Sequence, residues 1–270
     1  MIAEQSLREG NILESLDQLQ QQVKDDPSNA KLRVFLFQLL AVLGEWNRAM
    51  TQLNVVGDMD AGALAMVQMY REALKCEVLR AEIFAGQRSP LIFGEPEEWV
   101  ALLTQALRLT AEGQHAQSGA LRKMAFDAAP TSSGTIDDRP FEWIADGDVR
   151  MGPVLEAIVN GRYYWIPFHR ISKIQIDQPA DLRDIVWMPA HFSWANGGEA
   201  VGLIPTRYAG SESSLDGKIR LARKTEWIER DADTCLGLGQ RMLATNAGEF
   251  PLMEIRMITL DTVGEAKGSA

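Results

Sequence analysis

Residues 142–168 read EWIADGDVRMGPVLEAIVNGRYYWIPF, and the fold of the second half of the chain depends on how this run is interpreted. Asp146 and Gly147 lie between the short strand-like runs FEWIA and VRMG, a pattern typical of a tight hairpin. Pro153 and Gly161 bracket PVLEAIVNG as the start and stop signals of a short helix. The aromatic run RYYWIPF then predicts a strand. The acids, arginine and aromatics of this run fit either an active site or the frame of a protein-binding surface.

The rest of the second half has the composition of a β-rich domain. The segment TSSGTIDDRP (131–140) is small, polar and closed by proline, which predicts a linker. Beyond it, aromatic and β-branched residues predict strands at ISKIQI, DIVWMPA, EAVGLIP, KIRLARKTEWIE and LMEIRMITL. We therefore predict an α+β domain over 141–262, mainly antiparallel with one short helix, and a flexible tail over 263–270.

The first half has the spacing of paired helices. A glycine is followed five positions later by a small residue at three places: Gly10 and Ser15, Gly44 and Ala49, and Gly113 and Ser118. The first two copies are 34 residues apart, which is the period of a tetratricopeptide (TPR) helical pair. Between the copies, residues 63–86 predict one longer amphipathic helix. We predict a TPR-like all-α domain of about six helices over 1–130; the alternative is an ordinary helical bundle with a chance period.

Composition excludes several classes of protein. The formal net charge is −10 and no cluster of Lys and Arg is present, which argues against nucleic acid or an anionic membrane as partner. No stretch approaches 18 consecutive apolar residues, and the amino terminus lacks a signal core. Cys76 and Cys235 are isolated in sequence, so neither a disulfide framework nor a zinc site is indicated. We expect a cytoplasmic protein.

The sequence contains no convincing catalytic motif. The glycines of GLGQRM (237–242) lack the third glycine of a dinucleotide fingerprint, and no serine lies on a nucleophile elbow. The three histidines have no metal-ligand spacing, so we assign no catalytic residue, metal or cofactor. One enzymatic alternative stays open, a metal-dependent hydrolase that uses Asp146 and Asp148 with His169. Turn chemistry is the competing explanation for both aspartates.

Several long strings resemble the ImpE/TagJ family, also called SciE-type, of accessory proteins of the bacterial type VI secretion system. The most specific are WIADGDVRMGPVLE, LRDIVWMPA and PTRYAGSE, and turn chemistry alone does not explain them. The resemblance implies a two-domain cytoplasmic protein without known enzymatic activity. It also implies binding to the small subunit of the contractile sheath (TssB type) through that subunit's N-terminal helix. Such binding links the family to sheath assembly or to sheath recycling by the AAA+ ATPase ClpV.

We expect the partner helix to lie in a groove where the two domains meet. Seven tryptophans, five of them in the second half, supply candidate anchors. The predicted partner-binding residues are the anchors Tyr163, Trp165 and Trp187 and the orienting polar residues Arg150, Asp146 and Arg207. A structural role is the alternative for each. A further alternative is a generic TPR adaptor or chaperone that grips a chain terminus with basic residues such as Lys31, Arg33 and Arg71.

Overall fold

The first half of the chain is helical. The structure, a computed structural model, describes residues 2–231 and 234–261, so the predicted tail over 263–270 lies outside the described residues. The α-helices of this half are α1 (Ile2–Arg8), α2 (Ile12–Asp25), α3 (Ala30–Val42), α4 (Trp46–Met59), α5 (Leu64–Phe84), α6 (Glu98–Ala111) and α7 (His115–Ala128). The long helix predicted over 63–86 is confirmed as α5.

The three glycines of the spaced pattern each lie between two helices. Their backbone is left-handed, with φ of +90° at Gly10, +73° at Gly44 and +77° at Gly113. Glycine adopts this conformation without strain, which explains its place at the end of a helix that must turn into the next one. The glycine signal in the sequence therefore marked helix ends.

The small residues of the same pattern lie where paired helices touch. Ser15 and Ser118 are fully buried, and both hydroxyls bond the preceding helix. Ser15 Oγ donates to the carbonyl of Ala3 at 2.6 Å, and Ser118 Oγ donates to that of Ala106 at 2.7 Å. A larger side chain would separate the helices and leave these carbonyl contacts unmade. Contacts between neighbouring helices thus explain why the helices pair. Membership of the TPR class stays a prediction.

The second half forms a large, mostly antiparallel sheet. Its strands and the short β1 are β1 (Leu91–Ile92), β2 (Gly134–Ile136), β3 (Arg139–Phe141), β4 (Ile144–Asp146), β5 (Val154–Val159), β6 (Arg162–Pro167), β7 (Ile171–Ile176), β8 (Trp187–Trp194), β9 (Glu199–Pro205), β10 (Thr225–Asp231), β11 (Thr234–Gly239), β12 (Met242–Thr245), β13 (Gly248–Pro251) and β14 (Met257–Leu260). Nine of them pair in the order β1-β6-β5-β9-β8-β7-β14-β2-β3. Smaller sheets are β10-β11 and β13-β12-β4, and the β1–β6 pair is parallel.

The helix predicted over PVLEAIVNG is wrong, because this segment is strand β5. All six residues of β5 are buried, so the sequence lacks the polar alternation by which a half-exposed strand is recognised. β5 pairs with β6 so that Val159 lies opposite Arg162. The intervening Asn160 and Gly161 have φ of +51° and +71°, as a two-residue hairpin turn requires.

The hairpin predicted at Asp146-Gly147 is also wrong. β4 pairs with β12 rather than with the residues that follow the turn, and Asp146 lies opposite Leu243. The Asp-Gly pair therefore begins a wider loop that leads to β5. Asp-Gly favours a turn wherever it occurs, and only the surrounding strands decide which segments the turn joins.

The segment predicted as a linker, 131–140, instead contributes two strands to the large sheet. β2 pairs with β14, and β3 follows β2 through Asp137 and Asp138, whose φ values are +45° and +66°. Pro140 is tolerated because β3 is the edge strand. A strand was also expected at the start of KIRLARKTEWIE, where the structure has the short helix α8 (Gly217–Arg220). The division into two domains stays a prediction.

At strand β5 the large sheet is buried on both faces. One face packs against the helices in a shared core that includes Leu39, Leu74, Val154 and Trp187. The opposite face forms a second core with residues of the smaller sheet, such as Leu243. β5 contributes Val154 and Ile158 to the first core and Leu155, Ala157 and Val159 to the second. The helices therefore pack directly on the sheet instead of being tethered to it.

Gly239 tests the close packing of the β10–β11 ribbon. Its φ is +88°, and a Cβ atom there would lie 1.9 Å from the carbonyl oxygen of Lys224. Gly239→Ala should lower the free energy of unfolding by about 3 kcal/mol through backbone overlap and left-handed strain. Gly113→Ala, with φ of +77° and open space around the Cβ position, should cost only about 1 kcal/mol. Urea titrations measure both values, and equal losses would contradict the packing described.

Candidate functional site

A buried carboxylate, Glu156, lies at the centre of the contact between helices and sheet. It is the charged residue of β5 and it faces α5, because Leu155 and Ala157 on either side point into the second core. Arg80 of α5 donates to it twice, from Nε to Oε1 at 2.6 Å and from Nη2 to Oε2 at 2.9 Å. Tyr163 donates its hydroxyl to Oε1, and Arg241 donates Nη2 to Oε2. One carboxylate thus joins α5, the β5–β6 hairpin and the segment between β11 and β12.

These partners hold Glu156 ionised. Burial would raise the pKa of its carboxyl, but the charges of Arg80 and Arg241 and the hydrogen bonds from Arg80 and Tyr163 lower it to about 2. Burial likewise acts against the charged form of Arg80, and Glu156 and Glu77 outweigh it, so that the pKa of Arg80 is raised. Glu156, Arg80, Arg241 and Tyr163 therefore form a fully paired buried network, which we call the ionic joint.

Asp146, one of the predicted orienting residues, belongs to the same network. Its Oδ2 accepts from Arg241, and its Oδ1 accepts from the backbone N–H of Asp148 at 2.8 Å. Burial raises the pKa of Asp146 to about 6, because the Arg241 charge only partly offsets desolvation and Asp148 adds like charge. Asp148 accepts the Nε of Arg150 at 2.9 Å and the backbone N–H of Gly237 at 2.9 Å. Both aspartates therefore combine turn formation with ion pairing.

The three predicted aromatic anchors lie inside the protein. Tyr163, Trp165 and Trp187 have exposures of 1%, 0% and 0%. Trp165 Nε1 donates to the hydroxyl of Tyr163 at 3.0 Å, and Trp187 Nε1 donates to Oε1 of Glu77 at 3.0 Å. Each polar atom is satisfied within the junction, so these rings offer no surface to a partner in this structure. Their partner-binding role stays a prediction.

The two remaining predicted residues lie at the margin of the network. Arg207 is buried and donates Nη1 to the carbonyl of Val42 at 2.8 Å, which ties the end of α3 to the sheet region. Burial lowers the pKa of Arg207 to about 10, although Glu212 and Glu77 act in the opposite direction. Arg150 is half-buried, with its guanidinium carbon 4.9 Å from the centroid of the Phe84 ring. The structure thus places Asp146, Arg150, Tyr163 and Trp165 in one cluster, with Trp187 joined through Glu77.

Sequence reasoning missed the residues that organise this cluster, namely Arg80, Glu156 and Arg241. Glu156 had a signal, because it interrupts the otherwise apolar run VLEAIV. A lone carboxylate in such a run requires a buried cation. The partner could not be found in the same way, since Arg80 is separated from Glu156 by 76 residues.

The acids of the hydrolase alternative are engaged by arginines. Asp146 is bonded to Arg241 and Asp148 to Arg150, and Nε2 of His169 lies 3.1 Å from Oε1 of Glu97 instead of near either aspartate. Across residues 2–231 and 234–261, no group of three or more His, Cys, Asp or Glu side chains is placed to hold a metal ion. No helix in the described part of the chain has the length and apolar character needed to span a membrane.

A groove of about 700 Å³ opens between the helical half and the sheet half of the chain. One wall is formed by α1 and α3, and the other by the loop 179–185 that precedes β8. Its apolar lining consists of Leu7, Val34, Phe35, Pro179, Leu182, Ile185 and Met253. Several of these, including Val34 and Leu182, are only partly buried and pack on the shared core. The helical half and the sheet half therefore contribute to one concave apolar surface.

The ionic joint is tested by removing charge without changing shape. Glu156→Gln should lower the free energy of unfolding by about 3–5 kcal/mol, because Arg80 and Arg241 both lose the buried carboxylate that they share. Asp146→Asn should cost clearly less, since Arg241 retains Glu156 and the new amide oxygen can still accept from Asp148 N–H. Urea denaturation of both variants at neutral pH gives the comparison. A loss below about 1 kcal/mol for Glu156→Gln would refute the joint.

The comparisons with known proteins agree on a family. Residues 138–259 match the model of the ImpE protein family. The chain is 52% identical over 261 residues to the type VI secretion system accessory component TagJ of Pseudomonas aeruginosa, covering 97% of this chain and 92% of that protein. The crystal structure of protein VPA1032 from Vibrio parahaemolyticus has the same fold, with a TM-score of 0.90, 23% identity and coverage of 99% and 100% of the two chains. The chain belongs to the ImpE/TagJ family of type VI secretion system accessory proteins.

Proposed function

We propose that this protein is a non-enzymatic cytoplasmic adaptor of a type VI secretion system. It binds the small subunit of the contractile sheath, of the TssB type, through that subunit's N-terminal helix. Binding links the sheath to assembly or to ClpV-dependent recycling. The observation that carries the proposal is the 52% identity, over nearly the whole chain, to a protein named as an accessory component of such a system.

The groove between α1, α3 and the loop 179–185 is the binding site we favour. An amphipathic helix binds by laying its apolar face into a concave apolar surface, and the lining of this groove provides such a surface. Val34 and Phe35 are neighbours on α3, while Leu182 and Ile185 face them from the loop. Burial of each such side chain by a partner removes apolar area from water at roughly 25 cal/mol per Å². The groove is proposed in addition to the anchors Tyr163, Trp165 and Trp187, whose partner-binding role stays a prediction.

An adaptor also needs a groove that keeps its shape when empty. The loop 179–185 is held by Asp184, whose carboxylate accepts the backbone N–H groups of Ala180 at 2.6 Å and Asp181 at 3.0 Å. Thr206 Oγ1 donates to the carbonyl of Asp184 at 2.6 Å and fixes the loop to the end of β9. A preformed wall lowers the entropy that binding must overcome. The non-enzymatic part of the proposal is supported by the pairing of Asp146 and Asp148 with arginines.

The generic TPR adaptor is the second candidate. Of its three basic residues, Lys31 lines the groove, whereas Arg33 and Arg71 bond to Gln52 and Asn54. A terminus-gripping adaptor would require a free carboxylate on its ligand. An amidated peptide therefore separates the two candidates, because a helix laid in the groove binds equally well with or without its terminal charge.

Groove variants test the proposal directly. Val34→Ser combined with Leu182→Ser should weaken binding of a synthetic peptide of the sheath small subunit's N-terminal helix by at least about tenfold, because two apolar contacts of roughly 1 kcal/mol each are lost. Calorimetric titration of the full chain measures the affinity. The matched control, Val201→Ser with Leu64→Ser, makes the same substitutions at side chains that are 59% and 52% exposed outside the groove.

The control variant should bind as the unchanged protein does, and a scrambled peptide should not bind. Melting temperatures show whether each variant is folded. Equal affinities of the groove variant and the control would remove the groove from the proposal. Absence of any binding to the folded protein at about millimolar peptide would contradict the sheath-subunit proposal itself.

A further inference from the structure

The rim of the groove carries three basic side chains from separate elements. Arg8 ends α1, Lys31 lies in the first turn of α3, and Arg223 follows α8. All three line the groove and are exposed. Arg223 Nη1 donates to the backbone carbonyl of Arg8 at 3.2 Å, so the two residues are held next to each other. The charged heads therefore surround an apolar floor.

None of these three cations has a carboxylate within ion-pair distance among residues 2–231 and 234–261. Two acids, Glu4 and Asp181, also line the groove. Asp181 accepts the Nε of Arg183 at 2.9 Å. Three cations that have no carboxylate partner within the described residues thus surround one groove of a chain whose net charge is −10.

Exposed basic side chains elsewhere on the protein are of two kinds. Lys75 pairs with Glu72 at 2.8 Å. Within the described residues, Lys24 and Arg162 have no carboxylate at ion-pair distance, as is the case in the rim. The rim differs because three such cations from separate elements surround one apolar groove. A ligand can supply the carboxylates that these three cations lack. Its acidic side chains would meet the rim while its apolar side chains meet the floor of the groove.

We infer that the groove selects an amphipathic helix whose apolar stripe is flanked by Asp and Glu side chains. This inference rests on the proposed function and adds the charge pattern of the partner. On a helix, residues three and four apart share a face, so acids beside the apolar stripe lie within reach of a rim of this kind. A helix with basic flanks would bring like charges to Arg8, Lys31 and Arg223. The rim therefore favours helices with acidic flanks over helices with basic flanks when both have the same apolar face. We call this preference the charge filter.

The test uses the full chain and the sheath small subunit's N-terminal peptide, labelled for fluorescence anisotropy. Lys31→Glu with Arg223→Glu reverses the rim. Arg162→Glu with Arg230→Glu makes the same change at exposed residues outside the groove. A second peptide carries Asn and Gln in place of its Asp and Glu residues. Affinities are measured at low and high NaCl, and melting temperatures confirm folding.

We expect the rim reversal to weaken binding of the acidic peptide about tenfold at low salt, and the neutral peptide to bind both proteins equally. High salt should weaken binding to the unchanged protein and to the control but not to the reversed rim. An affinity within twofold of the unchanged protein after rim reversal would overturn the charge filter. That result would leave the groove proposal unaffected, because the groove is tested separately by the loss of peptide affinity in Val34→Ser with Leu182→Ser. Failure of the unchanged protein to bind the peptide would overturn both proposals.

Discussion

Where the helices pack on the sheet, Arg80 donates two hydrogen bonds to the carboxylate of Glu156, and both side chains are buried. A charge buried at this depth is tolerated only when every polar atom around it is satisfied. This requirement determines the positions of Tyr163 and Arg241, which complete the carboxylate's shell. It also fixes the register of β5, because a shift by one residue would turn Glu156 into the apolar core on the other face.

The groove is formed by elements that pack on the same core as α5. In the loop 179–185, the Arg183 guanidinium carbon lies 5.1 Å from the centroid of the Tyr70 ring of α5. Leu182 of the same loop packs on the shared core. Arg207 strengthens the arrangement, because its guanidinium reaches from the sheet region to the carbonyl of Val42 at the end of α3. The polar network lies in the interior between the helices and the sheet, and the apolar groove lies at the surface between the same two halves of the chain. The groove side chains are different residues from those of the Arg80–Glu156 network, although Val34 and Leu182 also pack on the shared core.

Structural features that depend on residues close in sequence could be predicted. Features that depend on contacts between distant residues could not. Gly10 and Ser15 revealed helix ends and helix contacts, because these roles are local. The β5 strand was mistaken for a helix since both of its faces are buried, although Asn160-Gly161 carried a hairpin signal. The aromatic residues were recognised as important, but a tryptophan in a core and one in an interface look alike in sequence. The sequence predicts a groove where the two halves meet, but not its lining residues, because the walls come together only in the folded chain.

We infer that the Arg80–Glu156 pair makes the helices and the sheet one cooperative unit. Native-state amide hydrogen exchange tests this by giving separate opening free energies for α5 and β5. We expect equal values in the unchanged protein and an equal decrease in both elements for Arg80→Lys, which cannot reproduce the two-point contact of the guanidinium. If α5 opened at a distinctly lower free energy than β5 in the unchanged protein, the two elements would not form one cooperative unit.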